Sequence, residues 1–186
     1  MSFLTLGGRR AFLGGAGLAL SGSAVALLAG RDTLAAASSS TMPANDVAIL
    51  NSALAAELEA IAAYGVGAGS GLLKGSVLTL ATTFQGHHKQ HADVLAGTVR
   101  RLGGKPVEAK AKYEFPVATL KTQNDVLRFA AVLEKGAVSA YLGAVPQFAD
   151  RELSKAAASI LGDEAMHWAV LRQAVGEEPV PAAFVS

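Results

Sequence analysis

The four histidines of this 186-residue chain are confined to two short segments. Three of them, His87, His88 and His91, lie within five residues, and the fourth is His167. His88 and His91 are three residues apart, as are Glu164 and His167, so on a helix each pair would share one face. Imidazole and carboxylate groups are ordinary ligands of transition metals. The spacing therefore predicts a metal site that two helices build together.

Two further glutamates, Glu57 and Glu134, occur within apolar stripes of helical spacing, where core residues are expected. Burying several ionisable groups together costs several kcal/mol per charge unless they are paired, and a divalent cation is the simplest partner. A tyrosine follows each glutamate by seven residues, at Tyr64 and Tyr141, and we expect its hydroxyl to hydrogen-bond near the site. His87 lies about 100° round the helix from His88, where it could support a ligand from outside. The predicted ligands are Glu57, His88, His91, Glu134, Glu164 and His167.

These residues belong to an internal repeat. The segment from Glu57 to Tyr64 matches the segment from Glu134 to Tyr141, with alanine at the fourth and seventh positions of both. Residues 86–95 likewise match residues 162–171, which aligns His91 with His167. The order along the chain is A, B, A′, B′, which predicts two copies of one helical hairpin.

The predicted fold class is all-α, because alanine-rich segments of helical periodicity cover most of residues 46–175. We expect helices over about 46–67, 76–102, 123–145 and 151–175, with Thr122 and Asp125 spaced as a capping box at the third. The connection over 103–121 is long for a bundle loop. It is long enough to run the length of the bundle, so the third helix would start parallel to the second.

With these motifs in place, the chain resembles the ferritin-like superfamily, and specifically exported bacterial ferritin-like domain proteins. The resemblance covers about residues 45–176 and implies a four-helix bundle whose two hairpins are joined by a long crossover between helices 2 and 3. It implies that Glu57, His91, Glu134 and the Glu164–His167 pair are metal ligands. The chain departs from the family pattern at His88, which stands where the glutamate of the second helix belongs.

The departure at His88 leaves the number of metal ions open. At most three glutamates and three histidines are available, so one negative charge is lost and two cations would be held less well. More imidazole suits a single ion, with His88, His91, His167 and one glutamate as its ligands. We expect one or two ions per chain of a transition metal such as Fe, Cu or Mn, with Zn as a further option.

The N-terminal segment has the order of parts of an export signal. Arg9 and Arg10 precede an apolar stretch of small residues over 11–30, and three alanines follow at 35–37, as signal peptidase prefers. The segment around the two arginines resembles a twin-arginine signal. We therefore predict a signal peptide over residues 1–37, a bundle with a short C-terminal tail over 38–186, and a location in the periplasm or cell envelope. A retained membrane anchor is the alternative.

Composition excludes several classes of protein. The chain has no cysteine, which rules out disulfides, iron–sulfur clusters and thiolate zinc sites. Its formal net charge is +1 without a basic block, so the electrostatic pattern of nucleic-acid binding is absent.

Three functions remain open from the sequence. The first is a redox enzyme acting on dioxygen, superoxide or peroxide, with superoxide dismutation suited to a histidine-rich site of one metal. The second is a buffer or carrier that binds metal without turnover. The third is a structural or stress-related bundle whose site is vestigial. Expected partners are a small redox substrate, the export machinery at the N-terminus, and a second copy of the chain or a larger envelope assembly.

Overall fold

The computed structural model describes residues 44–185, so the predicted signal peptide lies outside the described residues. Within that range the chain forms four α-helices and no strand: α1 Ala44–Gly69, α2 Gly75–Arg101, α3 Gln123–Ala144 and α4 Arg151–Ala174. Two short 3-10 turns follow, Val117–Thr119 in the long connection and Val145–Gln147 after α3. All four predicted helices are present, and their ends differ from the sequence estimates by no more than two residues.

Local signals explain where the second hairpin begins. Thr122 accepts a hydrogen bond from the backbone of Asp125, and the Asp125 side chain accepts one from the backbone of Thr122, so the predicted capping box is present. Asp150 caps α4 by accepting from the backbone N–H of Glu152 at 2.7 Å. Asn45, in the first turn of α1, donates to the carbonyl of Gln147.

Contacts between helix ends fix the topology. The start of α1 meets the end of α2, where Asn51 donates to the Lys105 carbonyl at 3.0 Å. The starts of α2 and α3 lie side by side, since the backbone N–H of Lys74 donates to Gln123. Helices α2 and α3 therefore run parallel, and the connection between them travels the length of the bundle. This is the predicted ferritin-like connectivity of two hairpins joined by one crossover.

The core is divided into two apolar clusters, one towards each end of the bundle. Leu50, Leu54, Leu95 and Val99 are central members of one cluster. Phe84, Leu127 and Leu171 are central members of the other. The predicted glutamates and histidines occupy the layer between the clusters, where the surrounding apolar side chains shield them from solvent.

Helix α1 is, within residues 44–185, the one helix long and apolar enough to cross a membrane by length and composition. In the bundle two of its three acidic residues face inward, with Asp46 fully buried and Glu57 2% exposed. Their hydrogen-bond partners lie on other elements of the same chain. These contacts show that α1 packs as one of the four helices of the bundle.

Asp46 ties the start of α1 to the turn between α3 and α4. Its two carboxylate oxygens accept from the backbone N–H groups of Ala149, at 2.9 Å, and Asp150, at 3.1 Å. We expect Asp46→Ala to lower the free energy of unfolding by about 2–4 kcal/mol, because two buried donors lose a charged acceptor. Asp46→Asn keeps one acceptor and should cost less. Urea denaturation of both variants measures the difference, and equal losses would contradict this role.

Candidate metal centre

The six predicted ligands converge in the middle layer of the bundle. Glu57 projects from α1, His88 and His91 from α2, Glu134 from α3, and Glu164 and His167 from α4. Five of the six side chains are no more than 2% exposed, and His91 is 15% exposed. The alternative that Glu57 and Glu134 are solvated surface residues is therefore excluded. The structure brings all six together, while metal ligation itself stays a prediction.

Two overlapping groups of potential ligands occur among the described residues of this layer. In each group, one ligand atom per residue lies within 4.8 Å of the others. His88 and Glu164 belong to both groups. The first group adds Glu57 and His91, and the second adds Glu134 and His167. Because His91 and His167 fall in different groups, the arrangement does not favour the single-ion set that combines all three histidines.

His88 lies between the two glutamates of the first and third helices. Its Nδ1 is 2.8 Å from Glu57 Oε2, and its Nε2 is 3.3 Å from Glu134 Oε1. Burial would lower the pKa of His88, but contacts with Glu134 and Glu57 raise it to about 9. Without a metal, a protonated His88 therefore compensates part of the negative charge of these two glutamates.

The two tyrosines form a crossed pair of hydrogen bonds that reflects the internal repeat. Tyr141, on α3, donates to Glu57 of α1 at 2.6 Å, and Tyr64, on α1, donates to Glu134 of α3. Burial, reinforced by the neighbouring carboxylates, raises the pKa of both hydroxyls well above the usual value. Both therefore keep their protons and remain hydrogen-bond donors, as the sequence predicted for these positions.

Five buried polar atoms of the cluster make no hydrogen bond within the described part of the chain. They are His91 Nδ1, His167 Nδ1, Glu134 Oε2 and both carboxylate oxygens of Glu164. Such atoms cost free energy unless a partner is present. Burial raises the pKa of Glu164, contacts with His167 and His91 oppose this rise, and Glu134 and Glu57 add to it. Imidazole nitrogens and carboxylate oxygens that face one another without bonding fit a divalent cation. The same atoms lie at ion-pair distances from one another, with His91 Nδ1 3.1 Å from Glu164 Oε1 and His167 Nδ1 3.5 Å from Glu164 Oε2, so protonated histidines compensate the carboxylates when no metal is bound.

Asp163 is a functional candidate that the sequence analysis missed. Its Oδ2 is 3.3 Å from His167 Nε2 and 3.4 Å from His91 Nε2, so it can accept a hydrogen bond from the N–H group of each ring. The Nδ1 atoms of both histidines then remain free to face the glutamates. A carboxylate behind a ligating histidine fixes the ring in this manner in many metal sites. Two signals could have identified it: Asp163 precedes His167 by four residues, and it occupies the repeat position of His87.

His87 is the one predicted residue outside the buried layer. Its side chain is 38% exposed, and its Nδ1 lies 2.9 Å from His167 Nε2 and 3.3 Å from Asp163 Oδ2. The structure therefore places His87 off the inner face and beside His167, while its role stays a prediction.

Comparison with known proteins agrees with this geometry. The sequence pattern of the Ferritin-like domain family matches residues 45–177. The chain belongs to the ferritin-like domain family. A search of curated proteins finds no match. This member of the family has groups of Glu and His side chains that could hold a metal ion. Membership of the family does not specify which metal.

Two solved structures resemble this ferritin-like domain. One is a conserved hypothetical protein from Mycobacterium tuberculosis, with 25% identity, a TM-score of 0.66, and coverage of 76% of this chain and 97% of the other. The second is the dodecameric thioferritin of Bacteroides fragilis, described as its bacterioferritin-related protein. It has 24% identity, a TM-score of 0.61, and coverage of 70% and 84%. Both support the ferritin-like fold.

The metal-free ferritin-like domain should lose stability as the pH rises. Burial opposes protonation of His91 and His167, but their carboxylate partners raise the pKa of both to about 11. A raised pKa in the folded state stabilises the fold fully below the unfolded value of about 6.5, and this contribution declines steadily as the pH rises from there to about 11. Denaturation of chelated protein at pH 6.5 and 10 should give a lower free energy of unfolding at pH 10.

The pH effect has a matched control. A His91→Gln, His167→Gln variant keeps polar side chains at both positions but cannot take up these protons. Its stability should change less between pH 6.5 and 10 than that of the parent. An equal change in both proteins would show that other groups cause the effect.

Proposed function

We propose that this protein is an exported, metal-binding ferritin-like protein that acts as a redox enzyme on dioxygen, superoxide or peroxide. The observation that carries the proposal is the set of five buried nitrogen and oxygen atoms that make no hydrogen bond within residues 44–185. They belong to glutamates and histidines of α2, α3 and α4. The location in the periplasm or cell envelope rests on the twin-arginine-like sequence of residues 1–37. Superoxide dismutation is the specific reaction that we propose to test first.

The proposed site holds one ion in the group of His88, Glu134, Glu164 and His167. All four of these residues are buried, and four of the five unpaired atoms belong to them. Glu57, in contrast, already has Tyr141 and His88 as hydrogen-bond partners. Two imidazoles and two carboxylates suit Fe or Mn, and Cu or Zn are compatible with the imidazoles. A redox-active ion bound there would supply the electron exchange.

The protein's own residues would orient the site and hold its protons. Asp163 accepts from the Nε2 side of His167, so that the Nδ1 atom faces Glu134 at 3.6 Å and Glu164 at 3.5 Å. Tyr64 keeps its proton on the hydroxyl oxygen that donates to Glu134. The apolar clusters on both sides exclude bulk water, which strengthens every electrostatic interaction in this layer.

A cavity between α1 and α3 offers a small molecule a route to the site. Its volume is about 320 Å³, and Glu57 and His88 lie among its lining residues. Most of the other lining residues are alanines, including Ala60 and Ala137, which leave the passage open. A cavity of this size admits a small molecule such as dioxygen or superoxide more readily than a large substrate.

Narrowing the passage should slow turnover without removing metal. We expect Ala137→Leu to lower the rate of superoxide consumption by metal-loaded protein roughly tenfold, about 1.4 kcal/mol in barrier. Ser139→Leu, on an exposed part of the same helix, is the control. Pulse radiolysis measures the rate, and mass spectrometry measures the metal content. If Ala137→Leu leaves the activity unchanged, the substrate does not reach the site through this cavity. If the metal-loaded wild type has no activity, the proposal that the protein is a redox enzyme is wrong.

The second candidate is a metal buffer or carrier without turnover. It is favoured by the partial exposure of His91, Asp163 and His87, at 15%, 26% and 38%, because these side chains link the buried layer to solvent on the α2–α4 side. A carrier exchanges its metal within minutes, whereas an enzyme retains it. Transfer of metal to a chromophoric chelator, measured on loaded protein, distinguishes the two.

Association with further subunits is also part of the proposal. Val132, Met166 and Val170 are exposed apolar side chains, 70%, 60% and 38% accessible in the single chain. A homodimer or a larger envelope assembly could cover them. Light scattering of the purified protein would measure the mass, and a monomer at micromolar concentration would contradict this part of the proposal.

A further inference from the structure

A second cluster of potential metal ligands lies outside the buried layer, between α2 and α4. It consists of His87, Asp163 and the outward nitrogen of His167, and we call it the outer cluster. The internal repeat explains its origin, because His87 aligns with Asp163 and His91 aligns with His167. The same repeat that builds the inner layer therefore places two further polar side chains opposite each other on its solvent side.

The three atoms of the outer cluster are spaced like the ligands of a bound cation. His87 Nδ1 lies 2.9 Å from His167 Nε2, and each is 3.3 Å from Asp163 Oδ2. With metal–ligand bonds of about 2.0–2.1 Å, neighbouring ligand atoms in tetrahedral or octahedral sites lie about 2.9–3.4 Å apart. All three separations fall in this range, so a cation could bind with little movement of the side chains.

Exposure distinguishes the outer cluster from the inner layer. Asp163 is 26% exposed and His87 is 38% exposed, so solvent can reach the cluster and complete the coordination with water. Two imidazole nitrogens and one carboxylate oxygen suit a borderline divalent cation such as Zn²⁺ or Cu²⁺. A calcium or magnesium ion would prefer oxygen ligands throughout.

We propose that the outer cluster is a second, solvent-facing site for a divalent transition-metal cation, with His87, Asp163 and His167 as its ligands. His167 faces the inner layer through Nδ1 and the outer cluster through Nε2. Coordination through Nε2 releases the proton of that nitrogen to solvent. The outer site is weaker than the inner one, because it has three protein ligands instead of four and keeps water among its ligands.

The competing explanation is that Asp163 and His87 only orient His167. Both explanations use the same contacts, but they differ in the number of cations bound. If Asp163 and His87 only orient His167, the described clusters bind metal in the inner layer alone. Substitution of His87 would then change the metal affinity of the inner layer only slightly. The proposal instead requires an additional class of binding sites that depends on His87.

The test is calorimetric titration of chelated full-length protein with Zn²⁺. We expect two classes of sites in the wild type. His87→Ala should weaken the weaker class at least about tenfold while the tight class remains. Gln90→Ala, an exposed position on the same helix, is the matched control and should retain both classes. Circular dichroism of each variant checks that it is folded.

A complementary variant separates this proposal from the proposed function. Glu134→Gln removes a ligand of the inner layer and none of the outer cluster, so it should abolish the tight class and leave the weaker one. In the wild type, a weak class without any tight class would contradict the inner centre while supporting the outer site. A single class in the wild type, or a weaker class unaffected by His87→Ala, would overturn the outer site.

Discussion

The variant His88→Glu should bind about two Fe or Mn ions per chain where the wild type binds about one. In the wild type, His88 contacts Glu57 at 2.8 Å and Glu134 at 3.3 Å, so the six-residue cluster contains only three carboxylates. Two divalent cations bring four positive charges, and a fourth buried carboxylate balances them. Glu164 already belongs to both groups of potential ligands, and the new glutamate would lie opposite it.

The matched control for this variant is His88→Gln, which has the length of glutamate without its charge. It should bind no more than one ion, because it leaves three negative charges. Both proteins are loaded with excess Fe²⁺ without oxygen, desalted and analysed for metal by mass spectrometry. Two ions in both variants, or one ion in His88→Glu, would contradict the charge argument.

Metal removal should produce the largest change in stability. A ligand that binds only the folded state stabilises it by about 4 kcal/mol when its concentration is a thousand times its dissociation constant. For a domain of this size, that corresponds to a shift in melting temperature of roughly 10–20 °C. We therefore expect calorimetric melting of loaded and chelated protein to differ by this amount.

A double variant isolates the contribution of the site to this shift. Glu134→Gln with Glu164→Gln removes two buried carboxylates that metal would compensate. Its melting temperature should respond far less to metal than that of the parent, and without metal near neutral pH it should be less stable than the chelated wild type, because His91 and His167 lose carboxylate partners. An equal response of parent and variant to metal would place the binding elsewhere.

The sequence determined most of the fold because the repeat and the helical periodicity act locally. Glu57 and Glu134 stood in apolar stripes, and both are buried as those stripes predicted. The connection over 103–121 is long enough to run the length of the bundle, and the structure confirms the crossover that this length allowed. The way this connection packs against α1 was not predictable from the sequence, because it depends on tertiary hydrogen bonds of Asn51 with the backbone of Lys105 and Val107.

The details of the site depended on side-chain orientation, which spacing does not provide. Spacing placed His91 and His167 on inner faces, but it could not assign one ring nitrogen to the glutamates and the other to Asp163. Nor could it separate His91 and His167 into two groups of ligands. Both features follow from how α2 and α4 pack together, so they appear only in three dimensions.

The central claim, that the buried cluster binds a metal, is tested most directly by the metal content of protein purified from its own host. Mass spectrometry would compare the wild type with a His91→Ala, His167→Ala variant, with circular dichroism to confirm that both are folded. We predict about one tightly bound transition-metal ion per chain in the wild type, lost in the variant. A folded wild type that contains no metal, and acquires none when incubated with Fe²⁺, Mn²⁺, Cu²⁺ or Zn²⁺, would contradict the claim.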